Sequence, residues 1–145
     1  MDSYLQLNTL VVYLFNNTLD FERRYVGNSE FKDISVNDMH ILEAIGLNTS
    51  KSMSAVAKKV GVTVGTLTIA VNNLVKKGYV LRIRSAKDKR VVLISLSPKG
   101  IRAYRHHEKF HLMMIKAMRR SLNDEECEIL IRALKQLDEY FTQIQ

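Results

Sequence analysis

The chain has 145 residues, of which 46% are hydrophobic and 26% charged, and its formal net charge at pH 7 is +7. This length and composition are typical of one globular domain, which excludes a disordered tail, a collagen-like repeat and a low-complexity linker. No apolar run reaches about 18 residues, so a membrane span is excluded too. A lone cysteine, Cys127, and an acidic N-terminus without a secretory pattern predict a cytoplasmic protein with no membrane partner.

The positive charge is concentrated in the middle of the chain. Residues 51–109 contain 14 Lys or Arg side chains but only two acids, Asp88 and Glu108, so this block carries +12. The segments before and after it carry −4 and −1. A cationic block between weakly acidic ends is typical of a nucleic-acid-binding segment in a non-binding frame, although a solvated surface would give the same count.

Two helices are predicted before this block. Apolar residues recur at helical spacing from Tyr4 to Tyr25, and Gly27 with Asn28 ends this long amphipathic helix. Ser35, with Asp38 three residues later, forms a capping-box-like start for a second helix. Gly46 ends that helix.

A helix-turn-helix pattern follows. Ser52 is the predicted N-cap of a short helix that Gly61 ends, and Thr63 caps the next helix at once. That next helix stops at Gly78, and its inner face consists of Leu67, Val71 and Leu74. Two short helices joined by a tight glycine-containing turn are typical of a helix-turn-helix motif.

The residue pattern then changes to a period of two. Residues 79–84 and 92–96 alternate in polarity on either side of the polar run 85–90, which predicts a β-hairpin. Ser97 and Pro98 begin a helix that runs to about Arg120, and Asn123 caps a last helix with an apolar stripe.

The predicted fold class is therefore mainly α with a small β-hairpin wing. We expect a winged helix-turn-helix DNA-binding domain over residues 34–97, with terminal helices over 1–33 and 98–145 forming a dimerisation domain. The terminal helices carry more apolar surface than a small winged-helix core can cover. A second copy of the chain is the simplest partner for them.

Side chains suited to DNA lie on the second helix of the motif and on the hairpin. Small hydroxyl and amide groups suit base edges in the major groove, and arginine on a protruding loop suits a narrow minor groove. Two roles stay open for Asp88: pairing with an arginine to fix the wing, or accepting a backbone N–H in a turn. The predicted DNA-binding residues are Ser52, Thr63, Gly65, Thr66, Thr68, Asn72, Asn73, Lys76, Arg82, Arg84, Lys87, Asp88, Lys89 and Arg90.

The wing carries a family resemblance. The run Asp88-Lys89-Arg90, followed by Leu96-Ser97-Pro98-Lys99-Gly100, resembles the wing signature of MarR-type transcription regulators. The resemblance implies a dimeric winged-helix protein whose terminal helices form the interface. It also implies that Arg90 is a minor-groove finger and that Asp88 steadies the wing.

Within that family, the resemblance is closer to the repressors of fatty-acid synthesis genes in Gram-positive bacteria. It implies a repressor of such genes on an A/T-rich palindrome, with a long-chain acyl group on acyl carrier protein as corepressor and no tightly bound cofactor. The matching stretches are Phe31-Lys32-Asp33-Ile34-Ser35, Met39-His40, Val62-Thr63, Gly65-Thr66, Asn72-Asn73-Leu74, Gly78-Tyr79, Arg82-Ile83-Arg84-Ser85 and Arg90-Val91-Val92.

Histidine spacing supplies an alternative effector. His107 and His111 lie one helical turn apart, a spacing that can bind Zn²⁺ with His40 or Glu22 as a further ligand. Zinc-sensing members of the resembled family also use histidines from these two helices, and a small apolar ligand is a further alternative. A weaker pattern, flexible methionines near aromatics, suits an acyl chain as well as ordinary core packing. The candidate pocket residues are Phe15, Leu19, Met39, His40, Ile41, His107, Phe110, His111 and Met114.

The sequence does not predict an enzyme. It contains no Ser, His and Asp grouping in a loop context, no phosphate-binding glycine loop and no paired acids in a polar run. A third class, a basic protein-interaction module, stays open because a surface that binds DNA can also receive an acidic carrier protein.

Overall fold

The computed structural model describes residues 2–144 and confirms the predicted fold class. Its elements are α1 (Ser3–Gly27), α2 (Val36–Ile45), β1 (Lys51–Ser52), α3 (Met53–Val60), α4 (Val64–Lys76), β2 (Val80–Arg84), β3 (Val92–Leu96), α5 (Pro98–Arg119) and α6 (Asp124–Gln143).

The chain divides into two compact units, one up to Glu108 and one from Lys109 onward. The boundary lies inside α5, so the first unit holds α1 to β3 with the first half of α5. The sequence predicts a division by role, into a central DNA-binding domain and terminal dimerisation helices. This division stays a prediction. Its outermost positions, 1 and 145, lie outside the described residues.

The helix starts follow the capping residues predicted from the sequence. Ser35 and Asp38 form a complete capping box at α2, and Asn123 and Glu126 form another at α6. At α5, the Ser97 hydroxyl accepts a hydrogen bond from the Gly100 amide at 3.0 Å and donates one to the Gly78 carbonyl. Because each cap satisfies N–H groups that have no partner inside the helix, it fixes the residue at which the helix begins.

The sheet has three strands rather than the two of a hairpin. Its antiparallel order is β1-β3-β2, with Lys51 and Arg82 both in register with Ile94. The short strand β1 was missed in the sequence because two residues carry no alternation pattern. It ties the start of α3 to the wing, since Ser52 is both a strand residue and the N-cap of α3.

The core of the first unit lies between α2, α3, α4 and the sheet. Met39, Leu42, Leu67, Leu74 and Ile94 have no exposed surface, and each such side chain contributes about 1.5–3 kcal/mol of burial free energy.

Tyr79 joins this core to the start of α5. Its hydroxyl donates to Asp33 at 2.5 Å, and this bond lowers the pKa of Asp33. A Cβ on Gly100 would lie 2.1 Å from the Tyr79 carbonyl oxygen, so glycine alone fits where α5 passes the backbone of Tyr79.

Helices α3 and α4 meet at a bend of 106°. Within residues 2–144 no single helix is both long and apolar enough to cross a membrane, and this bent pair passes that test by length and composition alone. Its apolar residues Val56, Leu67, Val71 and Leu74 are fully buried in the core of the first unit.

Candidate nucleic-acid interface

The turn between α3 and α4 is built as the sequence predicted. Gly61 ends α3 in the left-handed conformation, with φ of 81°, and its amide donates to the Ala57 carbonyl at 2.9 Å. Two residues later, the Thr63 hydroxyl accepts from the Thr66 amide at 3.1 Å and caps α4. A helix-turn-helix of this geometry presents the N-terminus of its second helix outward, where N–H groups and the helix dipole favour an anion.

Helix α4 has one buried face and one exposed face. Leu67, Val71 and Leu74 have no exposed surface and anchor the helix. The predicted DNA-contacting residues on the rest of the helix are exposed, except Thr68, which is half-buried and donates its hydroxyl to the Val64 carbonyl at 2.7 Å. Thr68 therefore offers DNA an oxygen and a methyl group but no free hydroxyl proton. The exposed predicted residues are Gly65, Thr66, Asn72, Asn73 and Lys76.

The structure brings Arg82 of the wing to Asn72 of α4. The Arg82 guanidinium donates to the Asn72 Oδ1 at 2.5 Å, and both side chains are exposed. This bond uses Oδ1 as the acceptor and orients the side chain, so the amide NH₂ group of Asn72 is left to donate to an acceptor outside the protein. Both residues are predicted from the sequence as DNA contacts, but nothing in the sequence indicates that they contact each other.

The wing tip is held by Asp88. Its two carboxylate oxygens accept from Nε and a terminal nitrogen of Arg90, each at 3.1 Å, and one also accepts from the Arg90 amide at 3.0 Å. Both interactions predicted for Asp88 are therefore present. The pKa of Asp88 is lowered, mainly by the hydrogen bonds from the Arg90 side chain and to a smaller extent by the bond from the Arg90 amide. The Arg90 side chain remains 91% exposed. Its guanidinium group is therefore fixed in direction by Asp88 but open to solvent.

Other hydrogen bonds close the same loop. Arg84 donates to the Lys89 carbonyl at 2.9 Å, and Ser85 bonds through its amide to the Val91 carbonyl at 2.8 Å. Lys87 and Lys89 are exposed at the tip. The wing thus presents three cations on a loop whose backbone is internally bonded.

Part of the cationic block serves the fold instead of a partner. Lys77 donates to the Asp33 carbonyl, Lys99 donates to the Lys77 carbonyl at 3.1 Å, and Lys51 donates to the Ala44 carbonyl at 2.9 Å. Arg102 pairs with Glu30 at 3.8 Å. The charge count along the sequence therefore overstates the cations available to DNA.

A second cluster lies at His107 in the first unit. His107 has no exposed surface, and its two ring nitrogens bond to Glu43 of α2 and Glu22 of α1. His40 Nε2 lies 3.0 Å from the same Glu22 oxygen. Burial lowers the pKa of His107, but the bonds to Glu43 and Glu22 outweigh it and leave the pKa raised. Sequence reasoning named all of these residues except Glu43.

The weaker pocket residues are not all brought together. A groove of about 730 Å³ is lined by His40, Ile41 and residues of α3 and α4, and a smaller one of about 330 Å³ by Leu19, His40 and neighbours. Met39 instead packs in the core with no exposed surface, because it lies on the inner face of α2. Phe15 is 69% exposed on α1. Phe110, His111 and Met114 lie in the second unit.

The family-model comparison matches residues 28–106, more than half of the chain, to the transcriptional regulators SarA/Rot. The chain belongs to this family. Among curated relatives, the regulator SarZ of Staphylococcus haemolyticus is 30% identical over 100 residues, which are 69% of this chain and 67% of SarZ.

Solved structures place this SarA/Rot-type chain in the wider MarR fold. FabT of Streptococcus pneumoniae, solved in complex with DNA, is 35% identical with a TM-score of 0.90 and covers 99% of this chain and 100% of its own. The reduced form of MarR from E. coli is 23% identical with a TM-score of 0.71, covering 90% and 95%, and shows the fold alone. The chain is a winged-helix transcriptional regulator and not an enzyme.

Proposed function

We propose that this SarA/Rot-type regulator binds duplex DNA as a homodimer, with α4 in the major groove and the Arg90 wing in the adjacent minor groove. The observation that carries the proposal is the Arg82–Asn72 bond, which joins the wing to the exposed face of α4 in one polar, cationic surface. The likeness to FabT, which was solved with DNA, supports it. A chain acting on the chromosome works in the cytoplasm, as the sequence predicts.

Exposed apolar side chains on the terminal helices support the homodimer. On α1, Leu7, Leu10 and Leu14 are each more than half exposed, and α6 buries none of its residues within the described chain. Ile131 and Leu134 of α6 are each 52% exposed. Continuous apolar stripes of this size mark a protein interface, and a two-fold dimer would place two copies of α4 about one DNA turn apart.

The proposed regulated genes are those of fatty-acid synthesis, and the proposed operator is an A/T-rich palindrome. The proposed corepressor is acyl carrier protein loaded with a long-chain acyl group. This part rests on the resemblance in the wing and α4 motifs and on the likeness to FabT. The test is a gel-shift titration of upstream DNA from fatty-acid synthesis genes, with acylated and with unacylated carrier. Identical curves with the two carrier forms would contradict the corepressor proposal while leaving DNA binding intact.

Zinc is the second candidate effector, and the cluster at His107 favours it. Glu22 contacts both His40 and His107, so two imidazoles and a carboxylate already lie together in the first unit. His111 follows one turn later on α5. Imidazole and carboxylate are common Zn²⁺ ligands. Metal analysis after dialysis against a slight excess of Zn²⁺ tests the alternative: one tightly held zinc per chain supports it, and none contradicts it.

A further inference from the structure

Ile69 lies at the centre of the exposed face of α4. Two residues along a helix correspond to a rotation of about 200°, so Ile69 points away from Leu67 and the core. It is 75% exposed, against 44% for Val64, the other large apolar residue exposed on this helix. Its neighbours on the same face are Gly65, Asn72 and Lys76, which are polar or lack a side chain.

The fold does not require isoleucine at this position. A β-branched residue is a weaker helix former than alanine, and an exposed helix position is usually polar. One exposed isoleucine is common on protein surfaces. Here, however, it occupies the middle of the surface that the proposed function places against base edges, so its chemistry points to what it meets there.

The fold does not require glycine at position 65 either, one helical turn before Ile69. A Cβ on Gly65 would meet only the Thr63 Oγ1 at 3.9 Å, an ordinary contact. Glycine nevertheless weakens a helix, because it loses more backbone freedom on folding than any other residue. A bare turn beside Ile69 lets the start of α4 approach a partner closely. Gly65 and Ile69, which lie one helical turn apart, thus suit a contact with a partner better than they suit the helix itself.

We propose that Ile69 recognises thymine through its C5 methyl group, and that this contact fixes T at one position in each half of the operator. The proposal rests on the proposed function, since it needs α4 in the major groove. The C5 methyl group of thymine is the apolar feature of that groove, where the other base-edge groups are hydrogen-bond donors and acceptors. An aliphatic side chain flanked by Gly65 and Asn72 therefore fits a methyl group next to a polar base edge.

The experiment removes the methyl group from the DNA. Duplexes that the protein itself selects from a random pool supply the operator, and each symmetric pair of thymines is then replaced by deoxyuridine, which lacks only the C5 methyl. We expect one pair to matter, with wild-type affinity falling about four-fold per half-site, the value for one buried methyl-sized group. Uracil at the other pairs should change affinity little.

Variants assign the effect to Ile69. Ile69→Ala should bind the thymine operator as weakly as the wild type binds the uracil operator, and should not distinguish the two. Leu81→Ala is the matched control, because Leu81 is a half-exposed aliphatic residue on the opposite side of β2 from Arg82, and it should keep the full uracil effect. Lys76→Ala should weaken both duplexes equally, as the loss of a phosphate contact does.

The outcomes separate the inference from the proposed function. If the selection returns no duplex, DNA binding itself is wrong. If duplexes are selected but uracil is tolerated at every position, or if Ile69→Ala still distinguishes thymine from uracil, Ile69 does not recognise the methyl group although DNA binding stands. Circular dichroism of Ile69→Ala should match the wild type, because the side chain is exposed.

Discussion

Arg90 is the residue whose charge most directly tests the wing. Its guanidinium group is bonded to Asp88, but its side chain is 91% exposed, so substitution should leave the fold unchanged. We expect Arg90→Ala to weaken operator binding by about 1–3 kcal/mol and to reduce the slope of log affinity against log salt by about 1 per protomer. Filter binding at several salt concentrations measures both. Affinity equal to the wild type at every salt concentration would contradict the role of the wing.

Asp88→Asn separates the direction of the arginine from its charge. The variant keeps Arg90 but replaces the two charge-assisted hydrogen bonds from its guanidinium to the Asp88 carboxylate with a weaker contact to an amide. We expect operator affinity between those of the wild type and Arg90→Ala, with the wild-type salt slope. Affinity equal to or above that of the wild type would show that the fixed direction of Arg90 does not contribute to binding.

His107 makes stability depend on pH. Its folded pKa is raised above the ordinary value near 6.5, so the stabilisation is fully present below that value and is lost as pH rises through the folded pKa. Melting temperatures measured above pH 6.5 should fall for the wild type and stay flatter for His107→Gln. At pH 6 the variant should be less stable by about 3 kcal/mol, because it removes the fully buried imidazole that pairs with both Glu22 and Glu43. Parallel pH profiles for the two proteins would exclude His107 as the titrating group.

At the scale of the elements, two glycines on helices should respond to alanine in opposite ways. Gly100→Ala places a Cβ 2.1 Å from the Tyr79 carbonyl and forces α5 away from the sheet, so we expect a loss of about 1–3 kcal/mol in unfolding free energy. Gly65→Ala meets no obstacle and should gain up to about 1 kcal/mol while weakening operator binding. Urea unfolding and gel shifts measure the pair. A stabilised Gly100→Ala, or a Gly65→Ala that binds as well as the wild type, would contradict these assignments.

The elements also show what the sequence can and cannot predict. The caps at Ser35, Thr63 and Asn123 were predictable because a cap and its N–H partner lie three residues apart. Glu43 was not, because its partner His107 is 64 residues away. The same holds for β1, whose pairing with β3 joins segments about 40 residues apart, and for the Arg82–Asn72 bond. Local hydrogen bonds leave a local pattern, whereas tertiary pairing needs the fold.

The functional residues, too, could be predicted from the sequence only in part. The cationic block predicted the DNA-binding region, but it did not show that Lys51, Lys77 and Lys99 satisfy carbonyl groups of the fold. Ile69 is not among the residues predicted from the sequence, because polar side chains are the expected base contacts on such a helix. The 200° step from the buried Leu67 could have identified it, since that step places an isoleucine on the face left to solvent.

For the molecule as a whole, the dimer should depend on the apolar stripe of α6. Leu134 is 52% exposed on that stripe, and a charge there would be desolvated in an interface between copies. We expect Leu134→Glu to be monomeric in sedimentation velocity at micromolar concentration and to lose specific DNA binding. Lys135→Ala, one residue along the same helix, is the control and should remain dimeric. A dimeric Leu134→Glu variant would place the interface elsewhere.

The most direct test of the whole proposal is an equilibrium titration of the wild-type protein against two duplexes. One carries the upstream DNA of fatty-acid synthesis genes, and the other has the same base composition in scrambled order. We predict two protomers per duplex, at least about 1,000-fold tighter binding to the natural order and a steep loss of affinity with salt. Equal affinity for the two duplexes would contradict specific recognition of these genes, and no binding to either at low salt would contradict DNA binding by α4 and the wing.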